Sequence, residues 1–68
     1  MISAQITIKA VDDVIPIIDW CEKNIGTKAP FKDCVDTERP WVWDAAYGTM
    51  TYYFANEGDA SWFALRWL

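Results

Sequence analysis

Sixty-eight residues with 53% hydrophobic and 16% aromatic content suit one domain spanning 1–68 and exclude a disordered chain, whose apolar side chains are too few to offset its ordering entropy. Six basic against ten acidic residues leave a net charge of −4, and without a cluster of Lys or Arg to neutralise phosphates, nucleic acid is an unfavourable partner. No apolar run reaches the ~18 residues of a membrane span, so no membrane partner is expected, and the start lacks the charged and apolar segments of a signal peptide, which points to the cytoplasm.

Residues 2–10, "ISAQITIKA", alternate without error, with Ile2, Ala4, Ile6, Ile8 and Ala10 on one side and Ser3, Gln5, Thr7 and Lys9 on the other. That is the pattern of a half-buried strand. Next, "VDDVIPIIDWCEKNIG" offers Asp12 and Asp13 as N-caps, Pro16 in a first turn that needs no N–H from it, and Gly26 as a stop. Val14, Ile18, Cys21 and Ile25 at i, i+4, i+7 and i+11 predict the buried stripe of a helix.

Residues 27–40, "TKAPFKDCVDTERP", carry two prolines and no period, and so read as a connecting loop. It is long for so small a domain, with Phe31 and Val35 available to pin it across the core. A hairpin follows over "WVWDAAYGTMTYYFAN", with Gly48-Thr49 as its two-residue turn. That turn predicts Tyr47 opposite Met50, Ala45 opposite Tyr52 and Trp43 opposite Phe54 on an apolar face shared with Trp41. Val42, Asp44, Thr51 and Tyr53 take the open face.

Asn56 is a good N-cap with Asp59 three residues on, and Ala60, Phe63, Ala64 and Trp67 form a second helical stripe. Trp62, Leu65 and Leu68 spread beyond it. The class is therefore α+β, in the order β-α-β-β-α. A three-stranded antiparallel sheet with spatial order 2-3-1 and both helices on one face permits a right-handed first crossover. This is a ferredoxin-like split unit lacking its last strand. The missing strand would have paired beside the first, whose bare edge is then open to strand addition by another chain or to a homodimer.

The chemistry available is sparse. Histidine is absent and Cys21 and Cys34 are the only thiols, so one chain cannot assemble a closed zinc site. The two cysteines read as small apolar residues, or as a disulfide only in an oxidising compartment. Cys34 has Lys32 and Arg39 nearby as cationic helpers, but Asp33 and Asp36 oppose its thiolate. The acidic residues Asp33, Asp36 and Glu38 lack the spacing of an ion-binding loop and read as a solvated surface. Each of the three glycines is isolated, so no phosphate loop exists. No cofactor, metal or catalytic residue is expected. Tyr53 on the open face has the placement of a base-stacking ring, but with Lys9 and Asp44 around it the surface is too poor in cations and rings for RNA.

What remains points to protein recognition. Trp41, Trp43 and Trp67 belong to the core by period. Trp20 and Trp62 sit at the margins of their stripes, with Arg66 one turn beyond Trp62, and aromatics beside arginine are common interface anchors. The expected partner-binding residues are Trp62, Arg66, Trp20 and Tyr53, with Asp33, Asp36 and Glu38 of the acidic loop.

The run "FANEGDASWFALRW" resembles the strand-to-helix ending of small proteins of tailed bacteriophages, in which an aromatic strand, an acidic cap, "DA" and an "F-x-L-R-W"-like helix close the chain. Gly58 departs from the residue a helical first turn favours. The resemblance implies an α+β fold and a phage origin, and carries no site residues. Combined with the residues above, it leads to the expectation of a non-catalytic interaction protein, an accessory factor that binds and modulates a host protein such as a defence or transcription component, in the host cytoplasm. The alternative is a homo-oligomeric structural element of a virion or other complex.

Overall fold

The computed structural model describes residues 1–10 and 13–68. Its elements are β1 (Ala4–Lys9), α1 (Ile15–Asn24), a short 3-10 turn (Lys32–Cys34), β2 (Trp41–Ala46), β3 (Thr49–Phe54) and α2 (Glu57–Trp67). The sheet runs β1-β3-β2, with both pairings antiparallel. The β-α-β-β-α order and the central last strand are those the sequence predicts.

Alternation in β3 divides the molecule into two layers. Met50, Tyr52 and Phe54 are fully buried on one face, in a cluster that takes Ile17 and Cys21 from α1 and Ala60 and Phe63 from α2. Both helices therefore cover the same face of the sheet. Phe63 is central, its ring 4.7 Å from that of Tyr52 and 5.3 Å from that of Phe54. Each such buried side chain contributes about 1.5–3 kcal/mol.

α1 departs from the expected stripe. Ile17 is buried with Cys21, whereas Val14, Ile18 and Ile25 are only half-buried. The helix is rotated toward Ile17 because that turn lets Trp20 reach α2. The N-cap is Val14, without a side-chain cap bond, rather than Asp13; Asp13 stands one residue earlier, its Oδ1 accepting the Ile15 N–H at 3.0 Å, while the other cap candidate, Asp12, lies outside the described residues. At the far end the N–H groups of Ile25 and Gly26 both donate to the Cys21 carbonyl, at 2.8 and 3.0 Å. Gly26 has φ +142°, and a Cβ there would stand 3.0 Å from Pro40 Cγ, so only glycine fits both the backbone and the contact. The freed Gly26 carbonyl accepts the buried Trp41 indole N–H at 2.7 Å.

The hairpin turn is Tyr47-Gly48 rather than Gly48-Thr49. Ala46 pairs with Thr49, Ala45 with Met50, Trp43 with Tyr52 and Trp41 with Phe54. Moving the turn back by one residue changes every partner but keeps each side chain on its expected face, because the pairing slips by two. Tyr47 and Gly48 both have positive φ, 50° and 82°, the type I′ pattern whose twist matches the strands. Thr49 Oγ1 closes the turn by donating to the Ala46 carbonyl at 2.9 Å.

The second face is not open. Residues 27–40 fold back across half of it, burying Ala29 and Val35 against Val42, with Ile2, Cys34, Tyr53 and Ala55 half-buried around them. Val35 thus pins the loop, but on the side of the sheet away from the helices, and Phe31 stays exposed. Ile2 joins this layer, so the alternation of the first strand ends at Ala4. The N-terminal ammonium donates to the Val35 carbonyl. Lys28 forms an isolated parallel bridge with Trp41, and Ala29 N–H donates to the Trp41 carbonyl at 2.7 Å, so the loop also covers the start of the β2 edge.

α2 is capped as expected: Asn56 Oδ1 accepts the Asp59 N–H at 2.8 Å, and Asn56 Nδ2 donates to the Asp59 carboxylate at 2.8 Å. The shorter Asp side chain answers the cap side chain rather than the cap backbone.

Three substitutions test these contacts. Trp41→Phe removes the donor to Gly26 as well as ring volume and is expected to cost about 3 kcal/mol. Trp67 buries an indole N–H without a hydrogen-bond partner among the described residues, so Trp67→Phe should cost only about 1 kcal/mol, the difference being read from urea midpoints. Tyr47 is fully exposed with φ 50°, and Tyr47→Asn should raise stability by about 1 kcal/mol in the same assay.

Candidate interaction site

The residues expected to bind a partner separate into two groups on opposite faces of the sheet. On the helical side, Trp20 stands between the helices. Its ring meets the rings of Trp62, Phe63 and Trp67 edge-on, at 5.3, 6.2 and 6.4 Å. Trp20 is half-buried, while Trp62 remains 46% exposed. Edge-to-face contact of this kind contributes about 0.5–1.5 kcal/mol beyond area burial, and it holds the Trp62 ring in one orientation. The Arg66 guanidinium lies over Trp67, 4.1 Å from its ring centre, rather than over Trp62. Because Trp62 turns its ring to α1, the neighbouring ring of Trp67 is the face left for the cation.

On the loop side, Tyr53 is half-buried and lies beneath Lys32, whose ammonium is 5.1 Å from the ring centre. Tyr53 first, and then the Asp44 carboxylate at 3.7 Å, hold the Lys32 ammonium above its usual pKa. The ring is therefore no free stacking platform. Asp36 is occupied by its own loop, its Oδ1 accepting the N–H groups of Arg39 at 2.8 Å and Glu38 at 2.9 Å. These bonds, the Arg39 amide foremost, with the Arg39 guanidinium 3.6 Å away, hold the Asp36 carboxyl below its usual pKa. Only Asp33 and Glu38 of the acidic set point freely to solvent. The structure brings together Trp20, Trp62 and Arg66, and does not bring them to Tyr53 or the acidic loop.

A third surface was not singled out among the expected site residues. Along the outer side of β1 a shallow recess of about 330 Å³ is bounded by Ala4, Ile6, Glu57, Ala60, Ser61 and Ala64. Leu65 and Leu68, one turn beyond Ser61 and Ala64 on the same flank, are 88% and 74% exposed. Their position outside the core stripe was the signal in the sequence. Its meaning required knowing that α2 lies over β1.

The thiols occupy different layers. Cys21 is buried beneath the helices and Cys34 is half-buried within the loop, both free. Among the described residues no three His, Cys, Asp or Glu side chains gather as a metal site, and no helix is long and apolar enough to cross a membrane. No protein-family model matches the chain, and no curated protein or solved structure shows significant similarity to it.

Burial, with a contribution from the Glu22 carboxylate, pushes the Cys21 thiol from 9.0 up to about 12, and burial, then Cys21, push the Tyr52 phenol from 10.0 up to about 12. The folded state thus holds protons that the unfolded chain releases earlier. Their contribution to stability is complete below pH 9.0 and is lost as the pH rises toward about 12. The unfolding free energy from urea titrations should stay level from neutrality to about pH 8.5 and fall above it, by up to about 1.4 kcal/mol per pH unit for each group. Cys21→Ala should flatten the first part of that fall.

Proposed function

We propose that this chain is a small non-catalytic protein-interaction module. The observation that carries the reading is Trp62, a large ring left half-exposed yet braced edge-on by Trp20. A rigid aromatic anchor loses little freedom on binding, which is what makes such rings energetically central in interfaces. Arg66, exposed beside it, supplies a cation at the rim. The net charge of −4 and the free carboxylates of Asp33 and Glu38 favour a partner with a basic surface. The likeness of the C-terminal run to tailed-phage proteins accords with an accessory factor acting on a host protein in the host cytoplasm. A second reading, a homo-oligomeric element of a virion or other complex, draws support from the bare β1 edge.

The module reading is tested by retention of proteins from a lysate of the source cell on the immobilised chain. Proteins held by the wild type and lost with Trp62→Ala, but kept with the exposed-site control Thr27→Ala, are the expected outcome, with affinity for a recovered partner reduced about 30-fold or more, since such anchors contribute at least ~2 kcal/mol. Identical retention by the wild type and Trp62→Ala would count against it.

A further inference from the structure

The two edges of the sheet are treated differently. The β2 edge is covered at its start by the bond from Ala29 to Trp41 and flanked by Lys32 and Asp44. The β1 edge has no such cover among the described residues. Ala10 N–H donates to the Gly48 carbonyl at 2.8 Å, so in the alternating antiparallel ladder Ala4, Ile6 and Ile8 bond inward to β3. Gln5, Thr7 and Lys9 then present their N–H and C=O groups outward. Ala4, Ile6 and Ile8 are only half-buried, although their partners Phe54, Tyr52 and Met50 on β3 are fully buried. The core is incomplete on this side.

We propose that this edge pairs antiparallel with β1 of a second copy of the chain, in a two-fold register that sets Thr7 opposite Thr7 and joins the two sheets into one of six strands. The proposal goes beyond the interaction-module reading and names the occupant of a surface distinct from Trp62. The outward phase of Gln5, Thr7 and Lys9 permits this register, and the side chains agree with it. Ile6 meets Ile8 of the second copy, and Ile8 meets Ile6, on the helical side. Thr7 meets Thr7 on the other, lengthening a row of hydroxyls already begun by the 2.9 Å contact of Thr7 with Thr51.

Lys9 is the only charge on β1. The register places it across from Gln5 and not from its own copy, so no like charges oppose. The small side chains of Ala60, Ser61 and Ala64 leave room beside β1 for the isoleucines of the second strand. Leu65 and Leu68 on the same flank then meet α2 of the second copy, which removes both leucines of the chain from water. A heterologous strand would satisfy the same backbone groups but has no reason to match this alternation.

Sedimentation of the purified chain over a concentration series should show a monomer–dimer equilibrium. Thr7→Pro deletes an outward N–H that no intramolecular bond uses, so it should weaken the dimer about tenfold or more through two lost hydrogen bonds while leaving the circular dichroism unchanged. In a Cys34→Ala background, Thr7→Cys should form a disulfide-linked dimer on mild oxidation, because directly opposed residues stand about 5.5 Å apart. Gln5→Cys should not, since its two copies would be about 13 Å apart along the strands. A strict monomer at every concentration, a dimer that Thr7→Pro leaves intact, or linkage through Gln5→Cys as efficient as through Thr7→Cys would overturn the assembly. A monomer that retains partners through Trp62 would remove only this inference, whereas a dimer that retains none would remove only the wider reading.

Discussion

The packing of Phe63 against Tyr52 and Phe54 sets the rest of the structure. Those rings are completely buried, and a chain of 68 residues has few other sources of bulk with which to cover a central strand. Bringing Phe63 onto β3 lays α2 across β3 and β1. It directs Trp67 and Ala64 partly inward and leaves Leu65 and Leu68 outside. It also opens the space between α2 and α1 that Trp20 fills, which is why α1 turns toward Ile17 and why Trp62 stands where it does.

The opposite face obeys the same need with poorer material. Three strands buried on one side would leave Val42 and Tyr53 in water on the other, and no further helix is available to cover them. The loop of residues 27–40 does so instead, using Ala29 and Val35 as its apolar contacts, with Asp36 folding the loop on itself and Lys32 over Tyr53. A segment that composition marks as a surface connector thereby becomes a thin second layer. Its coverage stops at β2 and half of β3, so the asymmetry between the guarded β2 edge and the bare β1 edge arises from the loop's finite reach.

The deeply buried thiol and phenol and the exposed apolar groups lie in different parts of the molecule. Cys21 and Tyr52 are so deeply placed that their ionised forms are disfavoured until strongly alkaline pH, which suits packing and not nucleophilic chemistry. The exposed apolar groups, by contrast, fall into two separate sets on α2: Trp62 toward α1, and Leu65 with Leu68 toward β1. One helix thus exposes two separate apolar sets, with its buried stripe of Ala60 and Phe63 holding them apart.

Local patterns were enough to establish much of this. The alternation in β1 and β3, the Asn56 cap, the Gly26 stop and the stripe of Ala60, Phe63, Ala64 and Trp67 are properties of neighbouring residues, and they carried the element order, the sheet order and the face of nearly every strand side chain. The hairpin partners were displaced because Tyr47, a residue with no preference for positive φ, occupies the first turn position; pairing with β1 and the helices, rather than turn chemistry, chose that register. The covering of Tyr53 by the loop, the stacking of Arg66 on Trp67 and the rotation of α1 toward Trp20 depend on residues distant in the chain competing for the same space. Periodicity assigns a side chain to a face, but what that face meets is decided only when the whole chain is packed.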